Sequence, residues 1–273
     1  MKRRLLAGVL TLVMMLSLLP TVAWARNDEG IDADSVEMYS SDDVVTSGPI
    51  TLWTGKEGQI TVPEENEVRS SNADIVSVEK NGTAVTLTGG SKEGRAEVTA
   101  GESTWVVYNY ASEAEYNYLY SLFHGKTISV MGDSISTIKD KIPSGNALYY
   151  DNTTGKEMTF ERNYWGAIIT RFGAAEGIDE AWSGSTIGSK AASMASKDRI
   201  NKLDDNGTPD VILYYGGSNP DSSVGTFDPD ADYAKTVDWA QSYSDTASAY
   251  AASLQRMKET YPDAEIIAMI PYY

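Results

Sequence analysis

One stretch, residues 128–137, constrains the second half of this chain more than any other. A short run of apolar, β-type residues stops abruptly at Gly132-Asp133-Ser134, the pattern of a buried strand delivering a serine to a tight turn. A second run, residues 210–215, shows no polar alternation, as expected of a strand covered on both faces. Residues 265–270 form a third run. Between these runs lie helical patterns over residues 162–172, 190–203 and 245–260, with a weaker strand leading to Ala181. Strands alternating with helices, joined by connections long enough for crossovers, predict a doubly wound parallel α/β sheet. In such a sheet ligands bind beyond the carboxyl ends of the strands, so the Ser134 hydroxyl is expected to face substrate rather than core.

The first half has a different organisation. Lys2, Arg3 and Arg4 precede an apolar run ending near Leu19, followed by Pro20 and the pair Ala23 and Ala25. A basic start, a short apolar middle and an A-x-A exit predict a signal peptide over residues 1–25. Its apolar run is shorter than the roughly 20 residues of a spanning helix. Removing it leaves 19 Lys and Arg against 39 Asp and Glu, a surface that repels nucleic acid and anionic headgroups. The expected location is therefore outside the cell, secreted or at the surface. Cysteine is absent, so neither disulfides nor thiol chemistry can contribute.

Residues 26–44 read as a flexible acidic leader. From 45 to 110 the pattern becomes short alternating runs with Gly and Asn-Gly punctuation, at 50–53, 59–62, 75–78, 84–87, 96–99 and 105–108. Six such strands predict a small β-sandwich. The wording SSNADIVSVEKNGTAVTLTGGSKEGRAEVTA resembles the bacterial immunoglobulin-like group 2 domains. Residues 111–125 predict a short linking helix, with Tyr116, Leu119, Tyr120 and Phe123 at helical spacing.

Three glycine-containing turns, at Ser134, Gly184 and Asn219, each follow a predicted strand and so fall on one rim of the sheet. Acyl transfer requires a nucleophile and donors aimed at the oxyanion. Ser134 offers a hydroxyl and its own N–H, Gly184 an unhindered N–H, and Asn219 a side-chain amide. Each is an ordinary turn residue when taken alone; their order and placement make them a candidate site. In that order, Val130-Met131-Gly132-Asp133-Ser134, Trp182-Ser183-Gly184-Ser185 and Gly217-Ser218-Asn219 resemble the first three motif blocks of the SGNH hydrolases, or GDSL-type esterases. The resemblance covers residues 126–273. It implies a three-layer flavodoxin-like α/β fold, Ser134 as nucleophile, Gly184 and Asn219 completing the oxyanion hole, and hydrolysis of esters, commonly O-acetyl groups of carbohydrate.

Two departures accompany it. Pro220 follows Asn219 where the family pattern has aspartate, removing a backbone donor and favouring extended geometry at Asn219. The family's Asp-x-x-His block supplies the base, whereas this sequence has a single histidine, His124. His124 precedes the Ser134 strand and is expected roughly 15 Å away or more, so the domain reads as C-terminally incomplete. Asp228, Asp230 and Asp232 alternate like a calcium loop, but Tyr233 and Trp239 occupy the positions that need Gly and Glu. No metal or cofactor is expected. The expected partners are an ester substrate, such as an acetylated polysaccharide, and a cell-wall polymer at the β domain. The rival reading is a surface binding or adhesion protein with a degenerate hydrolase domain.

Overall fold

The structure is a computed structural model that describes residues 49–188, 193–219, 221, 223–225, 243 and 245–269. The expected signal peptide, the acidic leader and Asp228, Asp230 and Asp232 lie outside these residues. Chain contacts divide the described residues into two compact units, one of residues 126–165 and 174–269, the other of residues 49–125 and 166–173. Among the described residues no helix is long and apolar enough to cross a membrane.

The second unit holds seven strands: β1 (Ile50–Trp53), β2 (Glu57–Thr61), β3 (Val68–Ser70), β4 (Val76–Asn81), β5 (Ala84–Gly89), β6 (Gly94–Ala100) and β7 (Ser103–Tyr110). They form two sheets, ordered β1-β7-β6-β3 and β2-β5-β4. Alternation works as the sequence pattern requires: in β5, Val85, Leu87 and Gly89 point inward, and Leu52, Ile60, Val76, Val98 and Val107 join them in one core shared by both sheets. Two details differ from expectation. There are seven strands rather than six, β3 being only three residues long, and β1 pairs with β7 in parallel. Helix α1 (Glu113–Phe123) is N-capped by Ser112, whose hydroxyl accepts from Glu115 N–H, and its Tyr116 lies against Tyr110, with ring centres 5.3 Å apart.

The α/β unit is a four-stranded parallel sheet of β8 (Thr127–Gly132), β9 (Ala175–Ala181), β10 (Val211–Tyr215) and β11 (Glu265–Met269), ordered β11-β10-β8-β9. After β8 the chain moves to one side, to β9, and then crosses to the other, to β10. The order matches the first four strands of a flavodoxin-like sheet and makes the gap between β8 and β10 a topological switch point, where open α/β sheets bind ligands. Helix α4 (Thr246–Thr260) begins at an Asp245 cap, and its Met257 enters the core of Met131, Ile212, Tyr214, Ile200 and Leu203.

Helix α2 spans Tyr164–Phe172, close to expectation. The helix expected over 190–203 is corrected where it is described: residues 190–192 lie outside the described residues, and from 193 onward regular helix α3 covers only Lys197–Ile200, followed by a 3-10 turn over Asn201–Asp204. The cause is competition for backbone donors. Met194 N–H bonds Thr186 O and Ala195 N–H bonds Ile187 O, both at 3.0 Å, so these donors serve a loop instead of a helical turn.

Candidate active site

Register sets the candidate site. Gly132 pairs with Tyr215 and Ala181, and Tyr215 pairs with Met269, so all four strands end level and the loops after β8, β9 and β10 leave from one rim. Those loops carry Ser134, Gly184 and Asn219.

Ser134 opens a single 3-10 turn, Ser134–Ser136, whose cap is Asp133; the Asp133 carboxylate accepts from Ile135 N–H at 3.1 Å. Asp133 is fully buried and faces the Ser218 hydroxyl and N–H, so it ties the first loop to the third. Burial pushes this carboxyl above the ordinary aspartate range, and hydrogen bonds from Ile135 and Ser218 together with the positive charge of Arg199 oppose the rise. The turn is fastened elsewhere too. Thr137 Oγ1 donates to Ser134 O at 2.8 Å and accepts from Tyr149 N–H at 3.1 Å. The Trp165 indole N–H donates to Ser136 O at 2.9 Å, and Asn163 donates to Ile135 O at 3.0 Å. Ser134 itself stays partly exposed.

Gly132 ends β8 where no side chain fits, since an added Cβ would overlap the Ser136 side chain. Gly184 has φ +80° and open space around it; that left-handed backbone suits glycine and leaves the loop unobstructed. Trp182 N–H bonds Gly132 O at 3.1 Å, and Ser185 Oγ lies 3.5 Å from the same oxygen. Asn219 Nδ2 donates to Ser185 O at 2.9 Å. An amide NH₂ carries two hydrogens; one is anchored on the second loop, and the other makes no hydrogen bond among the described residues.

Beneath the rim, the buried Arg199 guanidinium donates to Gly132 O at 3.0 Å and to Glu180 O, bracing the ends of β8 and β9. Its Nε lies 3.7 Å from the Glu180 carboxylate, as does Lys202 Nζ. Burial lowers the Arg199 pKa to about 10 and raises that of Glu180.

The structure thus brings the three expected turns to one rim and joins them by short bonds. His124 caps the end of α1, donates from Nδ1 to Phe172 O at 2.8 Å, and stacks on Tyr120; in sequence it stands just before β8, whereas Ser134 follows it. Sequence reasoning missed Thr137, Asn163, Trp165, Arg199 and Asp221, whose contacts all depend on the folded arrangement. For Asp221 a signal existed: an acid two positions after Asn219.

Residues 126–272 match the model of a family described as GDSL-like lipase/acylhydrolase. Among solved structures, a protein from Bacteroides ovatus described as a GDSL-like lipase is 25% identical over 54% of this chain and 73% of its own, with TM-score 0.41. One from Bacteroides uniformis with the same description is 26% identical over 52% and 68%, with TM-score 0.38. No curated protein matches the chain.

Proposed function

The chain belongs to the GDSL-like lipase/acylhydrolase family, and from that premise we propose that it is a secreted serine esterase with Ser134 as nucleophile. The observation that carries this reading is the convergence of the Ser134, Gly184 and Asn219 turns at the β8/β10 switch point, tied together through Gly132 O and Ser185 O. In the proposed reaction Ser134 Oγ attacks the ester carbonyl. The oxyanion that forms is met by the N–H groups of Ser134 and Gly184 and by the second Asn219 amide hydrogen. Collapse expels the alkoxide, which leaves as the alcohol with the proton given up by Ser134 Oγ, and water then cleaves the acyl-serine to the carboxylic acid and free Ser134. The first half of the chain, with its two-sheet β unit, supports an immunoglobulin-like module of the bacterial group 2 type, and the parallel strand order supports a three-layer flavodoxin-like catalytic domain. The acidic composition favours a neutral substrate, for which O-acetylated extracellular carbohydrate is our choice.

One observation favours a second reading, a surface-binding protein with a silent hydrolase domain: the single histidine is engaged at the end of α1 by Phe172 O and the Tyr120 ring. A fluorophosphonate probe separates the two. Labelling at Ser134, abolished in Ser134→Ala together with aryl acetate hydrolysis, is the expected result. Labelling elsewhere, or unchanged turnover by the variant, would remove the nucleophile assignment.

A further inference from the structure

The loop that supplies Asn219 is stapled to the second loop at two points, and only one of them is the asparagine. Asn219 Nδ2 donates to Ser185 O at 2.9 Å. Two residues on, the nearly buried Asp221 carboxylate accepts from Gly188 N–H at 3.1 Å. The segment Ser185–Gly188 is thus gripped at both ends by side chains of one short stretch, while Ser185 Oγ faces Gly132 O on its other side. Proline has no backbone N–H to give, and the two attachments made by the described residues on either side of it are both by side chains. A single amide hydrogen bond leaves Asn219 free to pivot about its χ angles. A second anchor two residues away removes that freedom from the loop backbone and fixes where the other amide hydrogen points.

Resting on the serine-esterase reading, we infer that Asp221 is a positioning residue: through its bond to Gly188 N–H it holds the Asn219 amide in the orientation that meets the oxyanion. The carboxylate does not touch substrate. It acts by tethering, and what matters is an acceptor oxygen at the right reach.

The test uses the full chain and two measurements: the rate of Ser134 labelling by a fluorophosphonate, and the NMR resonances of the Asn219 side-chain amide. Asp221→Ala is expected to slow labelling by about 10²-fold, the scale of a misplaced catalytic group, and to shift the Asn219 amide signals. Asp221→Asn keeps the acceptor and should stay within a few-fold of the parent with those signals in place. Labelling of Asp221→Ala at the parental rate with unmoved amide signals would overturn the inference, and so would equal impairment of both variants, which would implicate charge rather than the acceptor. If the parent is not labelled at all, the nucleophile assignment fails, but the amide signals of the Ala variant still decide the tether. Should that variant not fold, Asp221→Glu, which displaces the acceptor by one methylene, is expected to label at an intermediate rate; the parental rate would count against the tether.

Discussion

Asp179 is a carboxyl whose burial in the fold favours its neutral form. It lies on β9, 1% exposed, and burial drives its pKa well above the ordinary 3.8, opposed by a hydrogen bond from the Ala181 N–H. A carboxyl whose pKa is raised on folding contributes stability at pH below its unfolded value, and that stability is lost as pH rises toward the folded value. Asp179→Asn removes the ionisation and keeps the shape. Its melting temperature is expected to exceed the parent's at pH 8, with the gap narrowing toward pH 4; a gap that widens in acid would refute the assignment. The nearby residues differ in how visible they were. Ser134, Gly184 and Asn219 could be picked out because each sits in a short local pattern after a strand. Arg199 could not, since its partner Gly132 O is 67 positions away and nothing around Arg199 in sequence marks it as buried.

At the scale of elements, the leaving end of β8 is where packing and chemistry meet. Gly132 must lack a side chain because the Ser134–Ser136 turn folds back over it. Gly132→Ala would push Ser136 from its 2.8 Å contact with Tyr164 OH. The expected cost is about 1–3 kcal/mol, typical of overpacking, seen as a lower urea midpoint, with slower phosphonate labelling of Ser134. Loss of stability without loss of labelling would show that the turn relaxes independently of the strand. Arg199→Met tests the brace on the other side. Among the described residues it leaves Glu180, fully buried, with Lys202 as its remaining cationic partner, and should destabilise by about 3 kcal/mol; a change under about 0.5 kcal/mol in chemical denaturation would mean the pair contributes little. Elements were legible where the apolar pattern was long. β8, β10 and β11 emerged as unalternating runs because both their faces are covered. β3 was missed because three residues cannot display a period. The helix expected over 190–203 shrank because Met194 and Ala195 spend their N–H groups on Thr186 and Ile187, a tertiary pairing that helix propensity cannot anticipate.

At the scale of the whole molecule, the sequence reading divided the chain by composition near residue 110, while chain contacts group α1 and residues 166–173 with the β strands. Tyr108 and Tyr110 on β7 are nearly buried, and the Arg171 guanidinium lies 4.2 Å from the centre of each ring, an aromatic–cation arrangement made by residues more than 60 positions apart. Residue spacing carries no trace of it. The same scale governs the question of the catalytic base. The 273 residues contain one histidine, and its ring is taken up by Phe172 O and Tyr120 at the end of the chain segment that enters β8. Ser134 lies past the other end, six strand residues on. If Ser134, Gly184 and Asn219 act as proposed and His124 does not serve as base, the chain is expected to retain catalysis over water on the order of 10³-fold, as hydrolases deprived of a triad member do. A missing general base can be replaced from solution if there is room beside the hydroxyl, and Ser134 is partly exposed. Imidazole should therefore raise aryl acetate turnover above its own background, with dependence on Ser134, by up to the roughly 10²–10⁴-fold that general-base catalysis supplies. His124→Ala should leave both the basal and the rescued rates unchanged. If that substitution instead abolished basal turnover and imidazole restored it, His124 would be the base, and the segment between α1 and β8 would have to rearrange during the reaction.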